Sequence, residues 1–158
     1  IQPHENAGEL ENRLAILGAE LLTEVLPAYL TGELVPVPQP ETGVTLTWRV
    51  QKNAEAIDWT LPAHVLINHI RAYAPKPGAF TLWDGARLKI LRACVVNPVE
   101  KPIGVPGDVF LWEKKPVVIT SDGYLALLQV QMAGKRPMDG GAFVNGRKEF
   151  LGTTLKSP

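Results

Sequence analysis

Downstream of residue 79 the apolar pattern switches to a period of two and is cut into short pieces by turn residues, which commits most of the chain to a small antiparallel sheet. Five strand-like runs can be read, at 79–83, 87–96, 108–112, 116–120 and 124–131. They are separated by Asp84-Gly85, Pro106-Gly107 and Ser121-Asp122-Gly123, residue types that accept tight-turn geometry. A short helix is expected near residues 141–144. Ahead of the sheet, Thr60 reads as a helix N-cap with Pro62 in the first turn, where a missing N–H does no harm. Val65, Leu66, Ile70 and Tyr73 form the apolar stripe of that helix, which stops before Pro75. One helix leading into five short strands predicts an α+β fold whose C-terminal part is a small closed sheet, an OB-like β-barrel.

The first third has a different character. Asn6 and Glu9 form a capping-box pair, and Leu10, Leu14, Leu17, Leu21, Leu22 and Val25 recur at helical spacing behind them. Pro27 removes one hydrogen bond, so that helix either bends there or ends and restarts before Gly32. Residues 34–43 (LVPVPQPETG) carry prolines at three alternate positions and read as an extended linker. The formal net charge of zero hides an asymmetry that follows the same division. Residues 1–60 hold nine acids and three bases, a net of −6, whereas residues 61–158 hold seven acids and thirteen bases, a net of +6. Halves of opposite sign suggest two lobes, and the basic lobe suits a polyanionic partner.

With 158 residues, 46% of them hydrophobic, the chain can bury a core and is not a disordered segment. No apolar run approaches the roughly 20 residues of a membrane-spanning helix, and the polar, acidic start is unlike a signal peptide. The expectation is a soluble cytoplasmic protein that does not engage a membrane. The chain lacks an initiator Met and enters a helix within ten residues, so it is expected to be cut from something longer.

Catalytic patterns are missing. Cys94 is the only cysteine, which excludes an internal disulfide and a zinc site of paired thiolates; in its apolar run it reads as a buried, inert thiol. His64 and His69 lie five apart, about 140° around a helix, and cannot share a metal. Gly134-Lys135 lacks the rest of a phosphate-binding loop, and Asp58 reads as a carboxylate favouring the positive end of the helix that follows it. No catalytic, cofactor-binding or metal-binding residue is assigned. The basic residues form a pattern instead. Arg87 and Lys89 share the solvent face of one strand, Lys114 and Lys115 occupy a turn, Lys135 and Arg136 follow the last strand, and Arg147 and Lys148 follow the last helix. One face and the loops of a small barrel are where such domains hold polynucleotides. Trp59, Trp83, Trp112 and Phe143 read as core, so contact with the backbone of a nucleic acid is expected over contact with its bases.

At residues 57–81, IDWTLPAHVLINHIRAYAPKPGAFT, the sequence closely resembles the opening of the C-terminal domain of methionyl-tRNA formyltransferases. The resemblance continues through LKILRA (88–93), PGDVFLW (106–112), SDGYLALLQVQMAGKRPM (121–138) and FVNG (143–146). Upstream, residues 5–47 resemble the last helix of that family's catalytic domain and its linker. Lys76 stands where the family often has Trp, and TLTWRVQK (45–52) departs from the family's Tyr-Ala after the Thr. The resemblance implies a division into a tail of a Rossmann-like catalytic domain (1–33), a linker (34–52) and an OB-like C-terminal domain (53–158). It further implies a full-length enzyme that moves a formyl group from 10-formyltetrahydrofolate, bound outside this chain, to the amino group of initiator methionyl-tRNA. This chain, a monomer, would bind and position the tRNA and lack the catalytic residues. The alternatives are the C-terminal part of another folate-dependent enzyme, a sugar-nucleotide formyltransferase or a formyltetrahydrofolate hydrolase, or a stand-alone nucleic-acid-binding module of OB type.

Overall fold

The chain was analysed as a computed structural model, which describes residues 1–100 and 102–157. Its elements, in order, are α1 (Ala7–Leu30), α2 (Ala63–Tyr73), β1 (Ala79–Trp83), β2 (Ala86–Val96), β3 (Val109–Trp112), β4 (Lys115–Ile119), β5 (Tyr124–Met132), β6 (Met138–Asp139) and α3 (Gly140–Gly146). A 3-10 turn, Lys148–Phe150, follows. The runs expected to be strands all became strands, to within a residue at each end, because alternating Val, Ile and Leu side chains can bury one face of a pleated surface. Every named pairing is antiparallel. The order across the sheet is β1-β2-β5-β4-β3, with β6 added beside β5.

The core lies on one face of this sheet. Leu88, Ile90, Val118, Leu125, Leu127 and Val130 pack beneath Leu66 and Ile70 of α2, with Phe143 and Phe150 filling one end. Two hairpins are tightened by consecutive residues at positive φ, Asp84-Gly85 between β1 and β2 and Glu113-Lys114 between β3 and β4. The second lies where Lys114 and Lys115 were expected to form a turn, but its two central residues are Glu113 and Lys114, and Lys115 already belongs to β4. Gly140 marks the tightest approach: a Cβ there would lie 1.9 Å from the Leu127 carbonyl oxygen, so α3 can start against β5 only from a glycine.

The expectation of a closed barrel is not met by the named strands, because β1 and β3 remain the two ends of an open sheet. The space between them holds the C-terminal segment. Leu82 and Lys156 exchange both backbone hydrogen bonds, while Val109 bonds to Thr153 and Gly152, and Leu155 to Gly107. The Thr81 hydroxyl, fully buried, donates to the Lys156 carbonyl and accepts from Trp59 Nε1. Residues 152–156 have no long alternating pattern, so nothing local marks them as a sheet partner.

Several local expectations are corrected. Helix α2 begins at Ala63 with Pro62 as its N-cap, so Thr60 is not the cap. The Thr60 hydroxyl and N–H both donate to Asp58 Oδ1, and that turn absorbs the carboxylate expected to face the helix end. Val65 is exposed; Ala63 joins Leu66 and Ile70 on the buried stripe. Helix α1 is continuous through Pro27 and does not end and restart there, and it buries no residue. The capping box at its start is formed as expected. That start is tied to the rest by Gly8 N–H to the Ala74 carbonyl, by Arg71 to the Glu5 and Gln2 carbonyls, and by a Glu9–Arg92 ion pair. Among the described residues no helix is long and apolar enough to cross a membrane.

Candidate nucleic-acid interface

The register of β1, β2 and β5 decides which basic residues meet. Lys89 pairs with Phe80 on one side and with Gln131 on the other, so these three side chains project from one face, opposite the core residues Leu88 and Ile90. Arg87, two residues before Lys89, shares that face and lies with its Cζ 4.0 Å from the centroid of the Phe80 ring. Gln131 Nε2 donates to the Lys135 carbonyl, and Ala133 N–H to the Arg87 carbonyl, which folds the 133–135 turn back onto the start of β2. Arg87 and Lys89 thus share one face, and the backbone of Lys135 is held to the end of β5 next to it. Gln131 was missed in the sequence, where only pairing with Lys89 could have singled it out.

The other five expected residues lie elsewhere. Lys114 sits at φ +63 in the β3–β4 turn and Lys115 opens β4. The Lys114 carbonyl lies beneath the start of α3, where a Cβ on Gly141 would approach within 2.7 Å. Arg147 caps the other end of α3, its Cζ 5.2 Å from the Phe143 centroid, and Lys148 follows it. Arg136 is exposed in the turn after β5. Among the described residues the ion pairs are Arg13–Glu5 and Arg92–Glu9, so none of the eight is neutralised by a carboxylate there.

Two carboxyl groups have displaced pKa values, and both do structural work. Arg13, bonded to Glu5, holds that carboxyl down at about 2, with the Gln2 N–H helping. Asp108 lies below its ordinary range because the Thr154 hydroxyl and then the Val105 N–H donate to it. Cys94 is half-buried rather than buried, lining a groove of about 530 Å³ with His4, Arg71 and Arg92. The pairing of β2 with β5 is irregular only between Ile90 and Ala93, and Cys94, beyond that irregularity, is back in the register of the first half, opposite Ala126. His64 is exposed; His69 packs on Tyr73 with its Nε2 unpartnered. Trp59 and Phe143 are core as expected, whereas Trp83 is half-buried beside Phe143 and Phe150, and Trp112 lines the outer side of β3.

Residues 49–148 match the family model described as the formyl transferase C-terminal domain. A methionyl-tRNA formyltransferase of Chloroflexus aurantiacus is 40% identical over 148 residues, which cover 92% of this chain and 47% of that protein. One from Symbiobacterium thermophilum is 41% identical over 160 residues, covering 100% and 49%. The chain therefore spans about half the length of the relatives it matches. Among solved structures, HypX from Aquifex aeolicus in complex with tetrahydrofolic acid superposes with a TM-score of 0.62 at 20% identity, covering 85% of this chain and 23% of that one. A HypX variant reaches 0.70 at 17% identity, covering 96% and 28%; at such identity the likeness is one of fold. The matched domain includes α2, the whole sheet, α3 and all eight candidate cations, and the chain belongs to the formyl transferase C-terminal domain family.

Proposed function

We propose that this chain is the C-terminal part of a methionyl-tRNA formyltransferase and supplies that enzyme's grip on tRNA. The observation that carries the reading is identity of about 40% to methionyl-tRNA formyltransferases over nearly the whole chain, in a lobe with a net charge of +6. In this reading residues 1–33 are the tail of the catalytic domain, 34–52 the linker and 53–158 an OB-like domain whose sheet is completed by the C-terminal segment. The complete enzyme, cytoplasmic and monomeric, moves a formyl group from 10-formyltetrahydrofolate to the amino group of initiator methionyl-tRNA. The folate co-substrate binds outside this chain. Arg87, Lys89, Lys114, Lys115, Lys135, Arg136, Arg147 and Lys148 hold phosphates and set the acceptor end over the catalytic site.

Binding of this kind releases counterions, so it is salt-dependent in proportion to the phosphates contacted. Replacing Lys114, Lys115, Lys135 and Arg136 together with Ala is expected to flatten the slope of log affinity against log salt by roughly 3 to 4. Gel-shift titrations with tRNA across a series of salt concentrations check this. Equal slopes for wild type and the fourfold variant would remove those four residues from the interface. A second reading, a formyl enzyme with another acceptor, is compatible with the family description, which names no acceptor, and predicts no tRNA affinity at low salt.

A further inference from the structure

We infer that Arg87 and Lys89 form a preorganised seat for one unpaired nucleotide of a bound RNA, the base stacking on the Arg87 guanidinium and the phosphate meeting Lys89. The inference rests on the tRNA reading and adds a mode of contact to it. Phe80, 1% exposed, lies under the guanidinium of Arg87, which is itself exposed. One side of that planar group is therefore covered by a ring and the other is open to solvent. Among the described residues no carboxylate pairs with it and no acceptor takes its N–H groups.

Lys89 is held in a comparable way. Gly78, at φ +88, leaves room for its stem: a Cβ at that position would lie 3.0 Å from Lys89 Cδ. Both side chains thus lie against neighbours, Arg87 on a ring and Lys89 over a glycine, while neither cationic head is in an ion pair among the described residues, and packing a side chain before binding lowers the cost of ordering it. Arg planes and aromatic rings are the surfaces on which unpaired bases stack, and duplexed bases are not available to them. A cation held only for charge has no need of a ring beneath it. Gln131, paired with Lys89, continues the same face.

The decisive variant is Arg87→Lys, which keeps the charge and loses the plane. Affinities of the whole chain are measured for tRNA, for a short unpaired oligoribonucleotide and for an RNA duplex of the same length, each at several salt concentrations. Arg87→Lys is expected to weaken binding of the unpaired oligoribonucleotide by about tenfold, leave its salt slope unchanged and leave duplex binding unchanged. Arg87→Ala should weaken it as much and also flatten the slope by about 0.7. Phe80→Leu, with folding checked by thermal melting, should reproduce the Arg87→Lys result. If the wild type binds tRNA but Arg87→Lys binds every RNA as the wild type does, the stacking seat is overturned and the tRNA reading stands. Absence of tRNA binding by the wild type overturns both.

Discussion

At the scale of single residues, the contacts that hold the sheet's open side are polar and few. Trp59 Nε1, the Thr81 hydroxyl and the Lys156 carbonyl form one hydrogen-bonded line, and Thr81 is fully buried. Thr81→Val keeps the shape and strands the indole N–H, while the Lys156 carbonyl keeps only its bond from the Leu82 N–H, so it is expected to cost about 1–3 kcal/mol in denaturant unfolding. Ser at this position should recover most of the loss. Asp108 holds the same segment from the β3 side through Thr154. Its folded pKa lies below its ordinary value of 3.8, so its contribution is present above that value and is lost as pH falls through the lower folded one. Thermal melting between pH 5 and pH 2 should show the wild type losing more stability than Asp108→Asn. A parallel decline in the two proteins would mean that Asp108 does not pin the segment. Neither contact was readable beforehand, because each joins residues far apart in the chain.

At the scale of elements, α1 and the stretch after it depend on local interactions. Helix α1 buries no residue, and every residue from 29 to 53 is exposed. Leu14, Leu17, Leu21 and Leu22, at half exposure or more, leave a continuous apolar face without a partner. Limited proteolysis is expected to cut first between residues 32 and 52 and to leave a resistant C-terminal piece. Early cuts within 85–130 would contradict the packing described here. The helix start is held by the Asn6–Glu9 box and the Glu5–Arg13 pair. Asn6→Ala should destabilise it by about 1 kcal/mol, seen as faster amide hydrogen exchange in the first turns and none in β2 or β5. This helix was legible because capping and apolar period are local properties. The corrected start of α2 was not, because Pro62, Thr60 and Asp58 admit two turn arrangements and packing of Ala63 against Gly123 selects one.

At the scale of the whole molecule, the chain carries a basic lobe, and the proposed division of labour assigns it to holding tRNA and not to the transfer itself. The purified chain is expected not to formylate methionyl-tRNA with 10-formyltetrahydrofolate; turnover above a buffer blank would refute the division of labour proposed here. The sequence by itself determined the strand and helix content, the two hairpins marked by glycine turns, the charge asymmetry and the family, since all of these are written in periodicity, turn chemistry and motif. Only the tertiary structure decided three things. It left β1 and β3 apart with the C-terminal segment between them, because that segment is recruited by backbone groups of distant strands and carries no pattern of its own. It placed Cys94 half-buried on a groove beside His4 and Arg71, which come to it from distant parts of the chain. It set Arg87 over Phe80 and Lys89 between Phe80 and Gln131, because strand register, which depends on how whole faces pack, sets which side chains become neighbours.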